Sequence, residues 1–163
     1  MKKINLLIST FFGYGYISFI PGTVTSFVTT VFIYIAYEIL GYTDLKFSII
    51  LFLFLFLYSF YAVKDSESEF KNKDPRQIVI DEVLGQSMPL ILILYLNKNN
   101  LLTLNIEIYY IVSFFLFRFF DIFKPFPVSY FDKNFKNYFG IIMDDIMAGF
   151  YTMISIYIFS IYL

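Results

Sequence analysis

The sequence predicts an all-α membrane protein, a polytopic bundle of about five transmembrane helices that forms a single domain over residues 1–163. Three observations lead to this fold class. Apolar residues make up 59% of the chain and charged residues only 15%, against about 25% charged residues in soluble domains. The mean hydropathy is +0.71. Long stretches carry almost no charge, and a chain this short could not hide so much apolar surface from water.

Five stretches are candidate spans, because a hydrocarbon core of about 30 Å needs about 20 helical residues to cross it. In chain order they are 26–40, 47–63, 83–96, 101–117 and 146–163. The stretch 47–63 contains no charged residue and is the clearest, and 146–163 contains none either. The stretch 83–96 is short and polar in its first half, which we expect to face protein or water rather than lipid.

The first 20 residues predict a segment that lies at the membrane interface or re-enters it. Lys2 and Lys3 before an apolar run imitate a signal peptide, but an A-x-A cleavage site is missing. Gly13, Gly15, Pro21 and Gly22 would interrupt a helix. A genuine additional span is the alternative.

Positive charge is distributed unequally between the two faces that five spans define. The N-terminus and the loops 64–82 and 118–145 carry ten of the 12 Lys and Arg residues, and the other face carries only Lys46 and Lys98. The positive-inside rule makes the first face cytoplasmic. Ten of the 13 acids lie on the same face. The rule does not explain acids, so a functional cluster there is one candidate cause.

The residues that are missing restrict the chemistry. The chain has no Cys and no His, which excludes disulfides, thiolate nucleophiles, a histidine base and the usual zinc sites. The net charge of −1 shows that the chain does not have the excess of basic residues that is typical of nucleic-acid-binding proteins. Catalysis would have to use carboxylates, Lys, Arg, hydroxyl groups and a hard metal ion.

A turn before the first predicted span is a candidate phosphate-binding element. Glycine lets backbone N–H groups approach a ligand closely, and a helix N-terminus attracts phosphate. Thr23 or Ser26 is a candidate cap for the helix that follows. We therefore take Gly22, Thr23 and Ser26 as candidate phosphate-binding residues. A plain turn with a helix cap is the alternative.

Three further segments place charged residues next to spans on the predicted cytoplasmic face. These residues are Asp81, Glu82, Arg118, Asp121, Lys124, Asp144 and Asp145. Arg118 and Asp121 would pair as i, i+3 neighbours on a helix, which Pro125 would end. The helix dipole or a cap, for which Asp144 is a candidate, explains one acid at each helix start. It does not explain two adjacent acids.

Gathered carboxylates repel one another and therefore imply a bound cation. Oxygen ligands suit Mg²⁺ or Mn²⁺, so all five acids of that set are candidate metal ligands. Arg118 and Lys124 would bind phosphate oxygens. The seven residues together are the candidate catalytic residues, and they predict phosphoryl chemistry on a lipid at the membrane interface.

Five ordered blocks of sequence carry a resemblance that extends over nearly the whole chain. They are Gly13 and Gly15; Pro21-Gly22-Thr23 with Ser26; Asp74-Pro75 with Ile78 to Glu82 and Gly85; Phe117-Arg118 with Asp121, Lys124, Pro125 and Pro127; and Gly140-Ile141 with Asp144, Asp145, Ala148 and Gly149. In this order they resemble phosphatidylglycerophosphatase A, a family of small integral membrane lipid phosphatases.

The resemblance implies Mg²⁺-dependent hydrolysis of phosphatidylglycerophosphate to phosphatidylglycerol and phosphate, in phospholipid biosynthesis. It implies a multi-pass protein of a bacterial inner membrane whose active site faces the cytoplasm and whose partners are the phospholipid and the membrane. Thr25 stands where the family usually has Gly. Asn137 and Tyr138 stand where it commonly has a pair of Gly, which predicts a stiffer approach to Asp144.

Alternatives remain open at the level of mechanism and of function. The nucleophile is either a metal-activated water or an Asp that forms an aspartyl-phosphate, and a hydroxylamine-labile phosphoenzyme would identify the second. A CDP-alcohol phosphotransferase would need a D-G-x-x-A-R run, which the chain lacks. A small transporter or a structural membrane subunit should carry its polar residues at mid-span, whereas here they gather at one face.

Overall fold

The computed structural model describes residues 2–17, 19–70 and 75–162, and over these ranges the chain is helical without strands. The α-helices are α1 (Lys2–Ser9), α2 (Pro21–Tyr34), α3 (Leu45–Ser66), α4 (Ile80–Lys98), α5 (Ile106–Phe123), α6 (Val128–Asn134) and α7 (Tyr138–Tyr162). A π-helical turn, Ile35–Ile39, continues α2. The predicted all-α fold is confirmed, and each of the five predicted spans is largely helical.

Within the described residues, three helical segments are long and apolar enough to cross a membrane by length and composition: Pro21–Ile39, Leu45–Glu69 and Tyr138–Tyr162. Helices α4 and α5 have 19 and 18 residues, but each contains three charged residues and neither belongs to this group. The predicted count of about five spans is therefore not confirmed. The outward faces of the long helices expose large apolar side chains, such as Leu57 and Ile158.

Helix α4 lies at the centre of the bundle and contacts α2, α3, α5 and α7. Its apolar residues Leu84, Leu90 and Ile93 are almost completely buried. The polar half of this helix faces protein, as predicted: Gln86 is fully buried, and its Nε2 donates to Ser113 Oγ at 3.2 Å. A central position explains how a helix with polar side chains is accommodated here.

Helix α7 begins eight residues before the predicted start of the last span. Asn137 Oδ1 accepts from the N–H groups of Phe139 and Gly140 at 3.1 and 3.3 Å, which is the action of an N-cap. Asp144 therefore lies within α7, and the expectation that it caps the last span is wrong. Asn137, one of the residues that departs from the family pattern, supplies the cap instead.

Helix α2 begins at Pro21, a favoured first helical residue because it has no N–H to satisfy. Thr23 and Ser26 consequently lie inside the helix, and neither caps it. The Ser26 hydroxyl is fully buried and donates to the Gly22 carbonyl at 2.9 Å. Thr25, where the family pattern usually has Gly, is also fully buried.

The end of α5 agrees with the prediction made from Pro125. The helix runs through Arg118 and Asp121 and ends at Phe123. Lys124 then adopts a left-handed conformation with φ 45°, and its N–H donates to the Phe120 carbonyl at 2.9 Å. This turn directs the chain away from the helix axis and toward α6.

The N-terminal segment packs along α3 and does not form a helical span in its described residues. Helix α1 has 8 residues, and about 20 are needed to cross a bilayer. Asn5 joins it to α3, donating to Asp65 at 2.7 Å and accepting from the Tyr58 hydroxyl at 2.6 Å. The Ser9 carbonyl accepts from the N–H of Val79 at 2.9 Å, which ties this segment to the residue before α4.

Candidate active site

A cavity of about 590 Å³ opens at one end of the bundle, where α2, α4 and α7 begin and α5 ends. All seven predicted catalytic residues line it: Asp81, Glu82, Arg118, Asp121, Lys124, Asp144 and Asp145. Gly22 and Thr23 line it as well. Ser26 does not line it: this residue is fully buried, and its hydroxyl donates to the Gly22 carbonyl. Asp74, part of the resemblance, lies outside the described residues.

Three of the five predicted metal ligands form a compact group. Asp81 and Glu82 lie in the first turn of α4, and Asp145 lies in the second turn of α7. One carboxylate oxygen of each lies within 4.8 Å of the other two. Asp81 Oδ1 and Glu82 Oε2 are buried and have no hydrogen-bond partner among the described residues. Such unpaired buried oxygens suit a hard cation such as Mg²⁺.

Two glycines bring these acids together. Gly85 follows Asp81 by four residues and Gly149 follows Asp145 by four, so each glycine lies one helical turn from its acid on the same face. A β-carbon at Gly149 would clash with the carbonyl oxygen of Gly85. A β-carbon at Gly85 would lie 2.6 Å from the Asp145 carbonyl oxygen. Because glycine has no side chain, these two positions permit the close approach of α4 and α7.

The start of α2 forms another part of the cavity wall. A β-carbon at Gly22 would clash with Glu82 Oε1 and would lie 3.4 Å from Arg118 Nη1. Glycine thus leaves room for the Glu82 carboxylate beside the helix start. The first N–H groups of a helix have no intrahelical acceptor, so the amides near Gly22 and Thr23 can bind an anion in this cavity.

Arg118 and Asp121 form the predicted i, i+3 ion pair. Arg118 Nη1 lies 2.7 Å from Asp121 Oδ2, and the two side chains are 15% and 14% exposed. Arg118 Nε is buried and has no hydrogen-bond partner within the described parts of the chain. The guanidinium is therefore anchored at one edge and retains a donor for a ligand.

Lys124 lies between two carboxylates. Its Nζ is 2.6 Å from Asp144 Oδ2 and 2.8 Å from Asp132 Oδ1. Burial lowers the pKa of Lys124, but the two carboxylates outweigh burial and hold that pKa above its usual value. Burial likewise acts to raise the pKa of Asp132, and the hydrogen bond and charge of Lys124 bring it below its usual value. Lys124 is therefore a fixed cation at neutral pH.

Three charged residues that line the cavity were not among the predicted site residues: Arg76, Asp132 and Lys136. Asp132 belongs to α6, a helix of 7 residues in a stretch that the sequence predicts to be a loop. Contacts of Lys124 with a residue eight positions later depend on how α6 folds back. Helical spacing could have suggested only the pairing of Lys136 with Asp132 as i+4 neighbours, 3.7 Å apart.

Comparison with known proteins gives consistent matches over almost the full length. The model of a family described as phosphatidylglycerophosphatase A matches residues 7–160. A Haemophilus influenzae protein named phosphatidylglycerophosphatase A is 33% identical over 162 residues, covering 96% of this chain and 92% of its own. A Bacteroides thetaiotaomicron protein named putative phosphatidylinositol-3-phosphatase is 33% identical over 154 residues, covering 94% and 91%. The Escherichia coli K12 phosphatidylglycerophosphatase A is 26% identical over 143 residues, which cover 88% of this chain and 76% of the Escherichia coli protein. No solved structure matches significantly.

Proposed function

We propose that this chain, which belongs to the phosphatidylglycerophosphatase A family and is therefore a lipid phosphatase, acts on phosphatidylglycerophosphate. It would release the terminal phosphate and leave phosphatidylglycerol, as a step of phospholipid biosynthesis. The proposed reaction depends on Mg²⁺ and takes place at the cytoplasmic face of a bacterial inner membrane. The active site is the cavity at the end of the bundle.

The observation that carries this proposal is the composition of one cavity wall. One oxygen from each of three carboxylates lies within 4.8 Å of the other two. Arg118 and Lys124 line the same cavity. A phosphomonoester needs both kinds of group, because its oxygens are bound by cations and its negative charge must be balanced during transfer. The start of α2 adds backbone donors beside them.

The charges of the cavity support a divalent cation. Among the described residues, six acids and four bases line it, so these side chains, when fully ionised, have a formal charge of 4 − 6 = −2. An anionic substrate would be repelled by that charge unless a cation offset it. Asp81, Glu82 and Asp145 would hold Mg²⁺ through oxygen atoms alone, as this ion prefers. Bound there, the ion would supply Lewis-acid polarisation of the phosphoryl group and acidify a bound water.

The remaining residues would bind and orient the terminal phosphate. Arg118 would donate from its guanidinium to phosphate oxygens, and Asp121, 2.7 Å away, would hold that guanidinium in place. Lys124 would place a second positive charge on the transferring group, oriented by Asp144 at 2.6 Å. Charge stabilisation by prearranged groups of this kind commonly accounts for factors of about 10²–10³ in rate.

A substrate panel tests the proposed function. Purified protein in lipid–detergent micelles with Mg²⁺ is given phosphatidylglycerophosphate, phosphatidylinositol 3-phosphate or phosphatidic acid, and phosphate release is measured. We expect the highest kcat/KM for phosphatidylglycerophosphate and loss of release in an Asp145→Asn variant. The inositol lipid is included because of the name of the Bacteroides relative. Faster release from it than from phosphatidylglycerophosphate would replace the proposed substrate.

A further inference from the structure

The active-site cavity has room for more than one phosphate group. Its volume of about 590 Å³ lies within the range of about 300–1,000 Å³ that is usual for sites that enclose whole small molecules. The residues discussed above account for a metal ion and one phosphomonoester at the inner end. Among the described residues, two exposed bases that have no part in the proposed reaction also line the cavity, Arg76 and Lys136.

A chain of alternating charges leads from the inner acids to the mouth of the cavity. Asp144 pairs with Lys124, Lys124 with Asp132, and Asp132 with Lys136. Along this chain the exposed fraction of the side chain rises from 10% at Asp144 to 29% and 26% at the next two residues and 58% at Lys136. Lys136 therefore marks the outer end of the site.

The two lysines of this chain of charges, Lys124 and Lys136, differ in how tightly they are held by carboxylates. Lys124 makes two short ion pairs, of 2.6 and 2.8 Å, whereas Lys136 lies 3.7 Å from the same Asp132 oxygen. The ammonium groups of both lysines are close to that one oxygen, so they are at most 2.8 + 3.7 = 6.5 Å apart. One ligand with two phosphate groups joined by a short bridge can contact both.

Phosphatidylglycerophosphate is a ligand of that kind. A three-carbon glycerol unit joins its terminal phosphomonoester to the phosphodiester that leads to the diacylglycerol. We propose that Lys136, together with Arg76, forms a second anion subsite at the mouth of the cavity that binds this phosphodiester. The inference rests on the proposed function and extends it, because the subsite selects lipids with two phosphate groups over lipids with one.

The first test compares charge-neutral variants at two neighbouring lysines. Lys136→Gln should raise KM for phosphatidylglycerophosphate about fivefold, the effect of losing one exposed charged contact, with kcat within about twofold of wild type, and Lys136→Arg should restore KM. The matched control is Lys133→Gln, because Lys133 is an exposed residue of α6 outside the cavity lining. Arg76→Gln should behave as Lys136→Gln does.

The two reaction products separate the subsites, because each carries one of the two phosphates. Lys136→Gln should weaken product inhibition by phosphatidylglycerol about fivefold and leave inhibition by inorganic phosphate unchanged. Equal changes in KM for the Lys133 and Lys136 variants would overturn the subsite in favour of general surface charge. A fall in kcat at unchanged KM would overturn it in favour of a structural role for Lys136.

The proposed function and the subsite fail in different ways. If wild-type protein with Mg²⁺ releases no phosphate from phosphatidylglycerophosphate, the proposed function fails and the subsite with it. If wild-type protein releases phosphate while Lys136→Gln and Arg76→Gln keep wild-type KM and product inhibition, the subsite alone is refuted.

Discussion

Gly149 of α7 lies directly against the backbone carbonyl of Gly85 in α4. Each glycine is four residues after an acid of the proposed metal site, so this contact determines how closely Asp81 and Asp145 approach each other. The position of the metal-site acids thus depends on a helix–helix contact inside the bundle. Two glycines, which take no part in the reaction themselves, make that contact possible.

The Gly149→Ala variant tests this relationship. The added β-carbon would clash with the Gly85 carbonyl, and overpacking of this kind costs about 1–3 kcal/mol. We expect a lower Tm in detergent together with a loss of phosphatase activity, because the acids separate. The control is Ile154→Val, at an exposed position of α7. Wild-type Tm and activity in Gly149→Ala would show that the contact does not set the site.

Asp121→Asn tests the anchoring of Arg118. Asp121 lies 2.7 Å from the guanidinium, and its loss would free Arg118 and change the charge of the site. We expect phosphate release to fall on the order of 10²-fold or more, while the amount of protein inserted in the membrane stays the same. Glu69→Gln is the control, since Glu69 is an exposed acid outside the cavity lining. Full activity in Asp121→Asn would refute the role.

The Lys124–Asp132 pair predicts a specific dependence of stability on pH. Because the pKa of Asp132 is lowered in the folded protein, its contribution is present above the pKa of an unfolded Asp, about 3.9, and is lost as pH falls through the folded value. The Tm difference between wild type and Asp132→Asn should be constant from about pH 5 to 9 and should shrink below about pH 4. Lys133→Gln should show no such change. A difference that instead grows on acidification would contradict the sign of the pKa shift.

The absence of cysteine from the sequence makes the orientation of the protein directly testable. Single cysteines would be introduced by Lys133→Cys, close to the site, and by Asn99→Cys, at the other end of α4; both positions are exposed. In intact spheroplasts a membrane-impermeant maleimide should label only the Asn99 variant, because the positive-inside rule predicts that the site faces the cytoplasm. Labelling of the Lys133 variant alone would reverse the orientation.

Local features of the site could be predicted from the sequence because they depend on neighbouring residues. The Arg118–Asp121 pair follows from i, i+3 spacing, and the end of α5 follows from Pro125. The start of α7 could not be predicted from hydropathy, because the polar cap Asn137 and the acids that follow precede the uncharged run. Hydropathy alone assigns the charged first turns of such a helix to a loop and only its uncharged remainder to a span.

That the acids act together could be expected from their position on one predicted face and from the resemblance. Neither indicates that Asp132 binds Lys124 or that Lys136 lies at the mouth of the cavity. Both depend on α6, a short helix whose position is set by packing against α7 rather than by its own sequence pattern. The structure also separates the acids, because Asp121 and Asp144 pair with bases while Asp81, Glu82 and Asp145 form the compact group.

Removal and return of the metal ion test whether the carboxylates of this cavity hold a divalent cation for phosphate removal. Phosphate release from phosphatidylglycerophosphate is followed with purified protein in Mg²⁺, after EDTA, and after Mg²⁺ is added back in excess. We expect release that EDTA abolishes and Mg²⁺ restores. Release that continues unchanged in EDTA, or no release from this lipid at all, would contradict this expectation.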